Sequence, residues 1–144
     1  MIDSLTDRTI LLTGAGGTLG REYVKRMLQQ GARVIASDLK GPLSEALIEK
    51  YRDHKGFRFY ELDICSERDC TDIFRRILAD GWQPNVVVNN AAITGELLMG
   101  AGKSFPEFAD ITVEDFERTL RTNLTGAFMI ARQMDRDIVG KWPC

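Results

Sequence analysis

The sequence predicts an α/β fold built on a parallel, doubly wound sheet. Three observations carry that prediction. Short apolar runs rich in β-branched residues alternate with stretches of helical periodicity, turn residues bound each run, and a glycine cluster separates the first run from the first helical stretch. Alternation of this kind implies right-handed crossovers and helices on both faces of the sheet.

The first strand is Thr9-Ile10-Leu11-Leu12-Thr13 and the second Arg33-Val34-Ile35-Ala36-Ser37, followed by Asp38. Phe57-Arg58-Phe59-Tyr60-Glu61-Leu62 forms the third, and Val86-Val87-Val88, after Pro84, the fourth. Continuous Val and Ile runs of this length fit strands covered on both faces. Between them, Leu19, Tyr23, Val24, Met27 and Leu28 make one helical stripe, and Leu43, Ala46, Leu47 and Tyr51 a second. Cys70, Ile73, Phe74, Ile77 and Leu78 make a third stripe. Val113, Phe116, Leu120, Ala127, Phe128, Ala131 and Met134 mark a long fourth helix over about 113–137. Ser66-Glu67-Arg68-Asp69 and Thr112-Val113-Glu114-Asp115 read as helix starts, and Gly31 and Gly81 as helix ends. The irregular stretch from Ile93 to Ile111 holds Gly95, Gly100, Gly102 and Pro106, and reads either as the wall or lid of a site or as a disordered insertion.

Bulk properties narrow the function. The chain has 144 residues, 44% of them hydrophobic and 28% charged, with a formal net charge of −2. This length and composition suit one domain with one core. Without a basic stripe, nucleic acid is a poor partner. The apolar runs are too short to cross a bilayer, and Met1-Ile2-Asp3-Ser4 lacks the basic and apolar regions of a signal peptide, so no membrane and a cytoplasmic location are expected. Three cysteines, Cys65, Cys70 and Cys144, agree with a reducing compartment and have no accompanying His cluster that would bind zinc, so no metal site is expected.

The chemistry starts at Thr13-Gly14-Ala15-Gly16-Gly17-Thr18-Leu19-Gly20, between the first strand and the first helix. Glycines there permit a tight turn and let the backbone approach a pyrophosphate, which the following helix meets with free N–H groups and the positive end of its dipole. No Lys-Ser or Lys-Thr pair follows, which disfavours a P-loop for ATP or GTP. Asp38, eighteen residues after Gly20, can accept hydrogen bonds from the adenosine ribose hydroxyls and repel the extra phosphate of NADP. NAD is therefore the expected cofactor and NADP the less favoured one, with Lys40 close enough to permit some tolerance of the latter.

Three further signatures follow in order: Leu62-Asp63-Ile64, Asn89-Asn90-Ala91-Ala92 and Thr122-Asn123-Leu124-Thr125-Gly126. With the glycine turn, they resemble the N-terminal NAD-binding portion of the short-chain dehydrogenase/reductase family over about residues 5–138. The resemblance implies a Rossmann-type domain over 1–144, incomplete relative to the family after the fourth strand and the helix that precedes a fifth. It implies that Gly14, Gly17, Thr18 and Leu19 line the pyrophosphate, and that Asp38 and Leu39 meet the ribose. Asp63 would bond the adenine amino group beside Ile64, and Asn90, Ala91 and Ala92 would lie along the cofactor. Asn123 would be the family's helix asparagine, a supporting catalytic residue that positions a proton-relay lysine through water.

The glycine turn departs from the family's common TGxxxGxG. Thr18 takes the middle glycine position, and Gly14, Gly17 and Gly20 match the TGxxGxxG of the extended branch. The family's catalytic serine and its Tyr-x-x-x-Lys on the next helix have no counterpart at the matching positions. Tyr51-Arg52-Asp53-His54-Lys55 has the spacing but the wrong context, so it reads as coincidence, and His54 reads as a solvated surface residue. The expected function is hydride transfer between nicotinamide and a small-molecule alcohol or carbonyl, with this chain the cofactor-binding half and inactive alone. A homo-oligomer, dimer or tetramer, is expected from an apolar helix face of the kind that family members use for association. A non-catalytic NAD sensor and a purely structural α/β domain remain alternatives, whereas a flavodoxin-like protein is disfavoured by the glycine density of the first loop.

Overall fold

The structure is a computed structural model and describes residues 4–94 and 107–141. Gly95, Gly100, Gly102, Pro106 and the terminal Trp142-Pro143-Cys144 therefore lie outside the described residues. Four strands, β1 (Thr9–Thr13), β2 (Arg33–Asp38), β3 (Phe57–Glu61) and β4 (Val86–Val88), form one sheet in the order β3-β2-β1-β4. Every pairing is parallel, with Leu11 opposite Ile35 on one side and Val87 on the other. The chain is thus a doubly wound α/β fold of the Rossmann type.

Strand periodicity divides the interior into two layers. Ile10, Leu12, Val34 and Ala36 point to one face, where they meet Val24 and Leu28 of α1 (Thr18–Gln29) and Leu47 of α2 (Pro42–Tyr51). Leu11 and Ile35 point to the other, against Ile73, Phe74 and Ile77 of α3 (Glu67–Ala79) and Met129 and Ile130 of α5 (Ala127–Asp137). This alternation on strands covered from both sides explains why the strand sequences are apolar throughout.

The predicted helix ends are present. Gly31 (φ 87°) and Gly81 (φ 71°) each close a helix in the left-handed conformation. Ala32 N–H donates to the Met27 carbonyl and Trp82 N–H to the Ile77 carbonyl, the bonds of a Schellman cap. Ser66 and Thr112 accept from the amides of Asp69 and Asp115, as their sequence patterns predict.

Helix phases differ from the predicted stripes in three places. In α1 the buried line is Gly20, Val24 and Leu28, whereas Leu19 and Tyr23 are 62% and 39% exposed. Val24 and Leu28 of the predicted stripe are buried, and the tight approach of Gly20 to the first turn takes the place expected of Leu19 and Tyr23. In α2, Ser44 and Leu47 face inward while Leu43 and Ala46 face out. The long fourth helix is three segments: α4 (Val113–Leu120), a π-helical segment Arg121–Gly126, and α5. Val113, Phe116, Leu120 and Phe128 lie exposed, and Met129, Ile130 and Gln133 carry the burial instead. The wider turn of a π segment shifts the side-chain phase, so one α-helical period cannot describe both halves.

Candidate functional site

All four strands run in the same direction, so their C-terminal ends form one rim, and a crevice of about 770 Å³ opens there. That size falls within the range of small-molecule pockets. The loop after β1 forms its centre. Gly14 adopts φ 66°, and a Cβ on it would stand 2.7 Å from the Ala91 Cα, while one on Gly20 would stand 2.1 Å from the Gly14 carbonyl oxygen. Glycine at these two positions lets the turn, the start of α1 and the loop after β4 converge. A Cβ on Gly17 would meet only the Gly14 oxygen, at 3.3 Å.

The turn is held by side chains from neighbouring loops. Thr13 Oγ1 accepts from the amides of Asn90 (3.1 Å) and Ala91 (3.0 Å). Asn90 Nδ2 donates to the carbonyls of Thr13 and Gly14 at 3.0 and 3.1 Å. Gly16 N–H donates to Asp38 Oδ2 at 2.7 Å, and Leu39 N–H to Asp38 Oδ1 at 2.8 Å. The carboxylate at the end of β2 is therefore fixed against the glycine turn, yet each of its oxygens keeps acceptor capacity.

After β3, Asp63 Oδ1 accepts from Cys65 N–H at 2.8 Å, which shapes a turn, while the helix cap itself is Ser66. Cys70 packs beneath this turn with its thiol 3.5 Å from the Ile64 carbonyl, and burial pushes its pKa up to about 11. On the opposite wall, Arg121 Nη2 donates to the Cys65 carbonyl at 2.6 Å.

Gly14, Gly17, Thr18, Leu19, Asp38, Leu39, Asp63, Ile64, Asn90, Ala91 and Ala92 all line this single crevice. The exception is Asn123, which lies in the π segment rather than on the crevice wall. Its Oδ1 accepts from Ile93 N–H at 2.8 Å and its Nδ2 donates to the Ile93 carbonyl at 2.9 Å, clamping the loop after β4. The structure adds Arg118, Arg121 and Thr122 to the lining. Their i, i+3, i+4 spacing puts them on one helix face, a signal that the search for an apolar inward stripe passes over. Tyr51 packs its ring 5.3 Å from that of Phe57 on the α1–α2 side, and His54 Nδ1 accepts from Gly56 N–H in the turn before β3. Neither lines the crevice, consistent with reading Tyr51-x-x-x-Lys55 as coincidence. Among the described residues, no group of three or more His, Cys, Asp or Glu side chains could hold a metal ion.

Residues 8–141 match the family model described as short chain dehydrogenase. The chain belongs to the short-chain dehydrogenase family. It is 27% identical over 139 residues to the 3-oxoacyl-[acyl-carrier-protein] reductase FabG of Aquifex aeolicus, covering 94% of this chain and 52% of that protein. It is 26% identical over 137 residues to the (21S)-21-acetoxyl-apo-melianone synthase SDR of Melia azedarach, covering 95% and 47%. Among solved structures, the 3-ketoacyl-(acyl-carrier-protein) reductase of Brucella melitensis, complexed with NADH, superposes with a TM-score of 0.79 at 24% identity, covering 93% of this chain and 51% of that one. The chain thus spans about half the length of these relatives. The TM-score shows that this short-chain dehydrogenase chain shares its fold with that structure.

Proposed function

We propose that this chain is the cofactor-binding half, a single Rossmann-type domain, of an NAD-dependent oxidoreductase that moves hydride between nicotinamide and an alcohol or carbonyl substrate. The observation that carries the proposal is the state of the N-terminus of α1. Both α3 and α4 begin with a hydroxyl cap and two acidic residues in the first turn. α1 begins with Gly17, which offers no side-chain cap, and has no acidic residue in its first turn. Asp38 engages only the Gly16 amide ahead of the helix, so the positive dipole end and the amides of Thr18 and Leu19 face the crevice with no side-chain cap, which suits an anion supplied by a ligand. The Cβ-free surface at Gly17 leaves room for a diphosphate there, while Gly14 lets the turn close against Ala91, so the residues present fit a dinucleotide.

Bound NAD would supply the hydride chemistry, and the protein's part is to bind and orient it. The amides of Thr18 and Leu19 hold the diphosphate, and the Asp38 oxygens accept from the ribose hydroxyls while repelling a 2′-phosphate. Asp63 accepts from the adenine amino group beside Ile64. Asn90 keeps the glycine turn rigid, and Ala91 and Ala92 leave a flat path along the loop after β4. Asn123 holds that path through Ile93, a supporting role in the catalytic apparatus of the whole enzyme. The substrate serine and the acid–base tyrosine and lysine would come from other segments of the parent protein, so chain 1–144 binds NAD without turnover. The exposed apolar face of α4 and α5 suits a homo-oligomer, and the thiols a reducing cytoplasm.

Calorimetry tests the reading. Chain 1–144 is expected to bind NADH more tightly than NADPH, and D38A to lose about ten- to a hundredfold in NADH affinity, the equivalent of ~1.5–3 kcal/mol for a hydrogen bond to a charged group. Equal affinity of D38A and the unaltered chain for NADH would remove the ribose assignment. Alcohol-dependent NADH formation by chain 1–144 alone would contradict the division of labour.

A further inference from the structure

The wall that α4 and the π segment contribute to the crevice bears Arg118 and Arg121, the two cations among its described lining residues. Their surroundings differ. Arg121 is bound to the Cys65 carbonyl and so ties the helix to the loop that carries Asp63. Arg118 is exposed, and among the described residues no carboxylate pairs with it.

Topology identifies the part of a dinucleotide that would lie beside it. The glycine turn after β1 occupies the centre of the rim, Asp38 follows β2, and the Asp63 loop follows β3 at the sheet edge. A diphosphate at the centre and a ribose on Asp38 send the base attached to that ribose toward the β3 loop. Arg121 fixes the helical wall to that same loop, one turn beyond Arg118. Leu39, 59% exposed, offers an apolar surface from the end of β2. A planar base entering there meets an aliphatic group and an uncommitted planar guanidinium, and guanidinium over an aromatic face is a favourable pairing.

Building on the dinucleotide reading above, we infer that Arg118 stacks its guanidinium on the adenine ring and that Arg121 is a positioning residue for the Asp63 loop. Adenine recognition then combines an edge contact from Asp63 with a face contact from the helix. A neutral aliphatic side chain at 118 would leave the base with only one covered face.

Titration calorimetry of chain 1–144 with NAD, ADP-ribose and nicotinamide mononucleotide tests this. R118A is expected to weaken NAD and ADP-ribose by the same factor, about 3- to 30-fold, and to leave the mononucleotide unchanged. R118K, which keeps the charge near the helix end but not the planar face, is expected to bind ADP-ribose less tightly than the unaltered chain and guards against a folding defect. Undiminished ADP-ribose binding by R118A or R118K overturns the stacking, as does a parallel loss of mononucleotide affinity, which would make Arg118 a phosphate ligand. If the unaltered chain binds neither NAD nor ADP-ribose, the dinucleotide reading itself fails. If it binds both and R118A matches it, only the stacking fails.

Discussion

Asp38 shows how two backbone amides can fix a single carboxylate at the rim of a crevice. Its two oxygens already hold the amides of Gly16 and Leu39, so the carboxylate cannot rotate away from the rim. Gly14 is the backbone counterpart. G14A places a Cβ at φ 66° and 2.7 Å from the Ala91 Cα, and should destabilise the chain by about 1–3 kcal/mol in urea unfolding, since a non-glycine residue there is strained. Unchanged stability would mean that the turn is held less tightly than its contacts indicate. Cys70 offers a pH test. Burial raises its pKa from the usual thiol value near 9.0 to about 11, so the folded state retains the thiol proton longer than the unfolded chain does. That contribution is complete below pH 9 and is lost as pH rises toward 11, so unfolding followed across this window should show a decline that C70A makes shallower. The glycines and Asp38 were legible because their requirement is local: a tight turn and an acidic strand end announce themselves in a few residues. Arg118 was not, because its place on the crevice wall depends on which helix face turns toward loops distant in sequence.

At the scale of elements, the π segment breaks the α-helical pattern yet is anchored by several side-chain bonds. Asn123 clamps the Ile93 backbone, Arg121 binds the Cys65 carbonyl, and Asn89 Nδ2 donates to the Ala127 carbonyl at 3.3 Å. Gly126 passes so close to the loop after β3 that a Cβ would stand 2.8 Å from Ile64 Cδ1. The segment thus fastens the long helix to the loops after β3 and β4 at once. N123A removes both bonds to Ile93 and is expected to cost about 1–3 kcal/mol and to speed hydrogen exchange at the Ile93 amide. Exchange as slow as in the unaltered chain would show that other contacts hold this loop. Strand positions and the capping residues Gly31, Ser66, Gly81 and Thr112 could be read from sequence, because strand runs and caps are short-range devices. The inward stripes of α1 and α2 were legible only in part, at Val24, Leu28 and Leu47, and that of the long helix was not. Gly20 and Ser44 are buried for reasons of close approach and hydrogen bonding that an apolar count overlooks, and the change of phase at Arg121–Gly126 is invisible to any single helical period.

For the whole molecule, the parallel order β3-β2-β1-β4 brings four loops to one rim, and eleven sequence-predicted residues converge there because a doubly wound sheet leaves its crevice at the strand ends. The same architecture leaves apolar surface elsewhere. Phe116, Leu124 and Phe128 are 58%, 63% and 58% exposed on the long helix, and β4 pairs only with β1 among the described strands. Chain 1–144 is therefore expected to associate, with light scattering reporting a dimer or larger species, and charged substitutions at Phe116 and Leu124 should reduce that mass. A monodisperse monomer would contradict this. The central claim is that the uncapped start of α1 takes the diphosphate of NAD. Amide-resolved NMR titration of the ¹⁵N-labelled chain with NAD tests it most directly: the Gly17, Thr18, Leu19 and Gly20 amides should shift together and saturate, whereas amides that stay in place at millimolar NAD would contradict it.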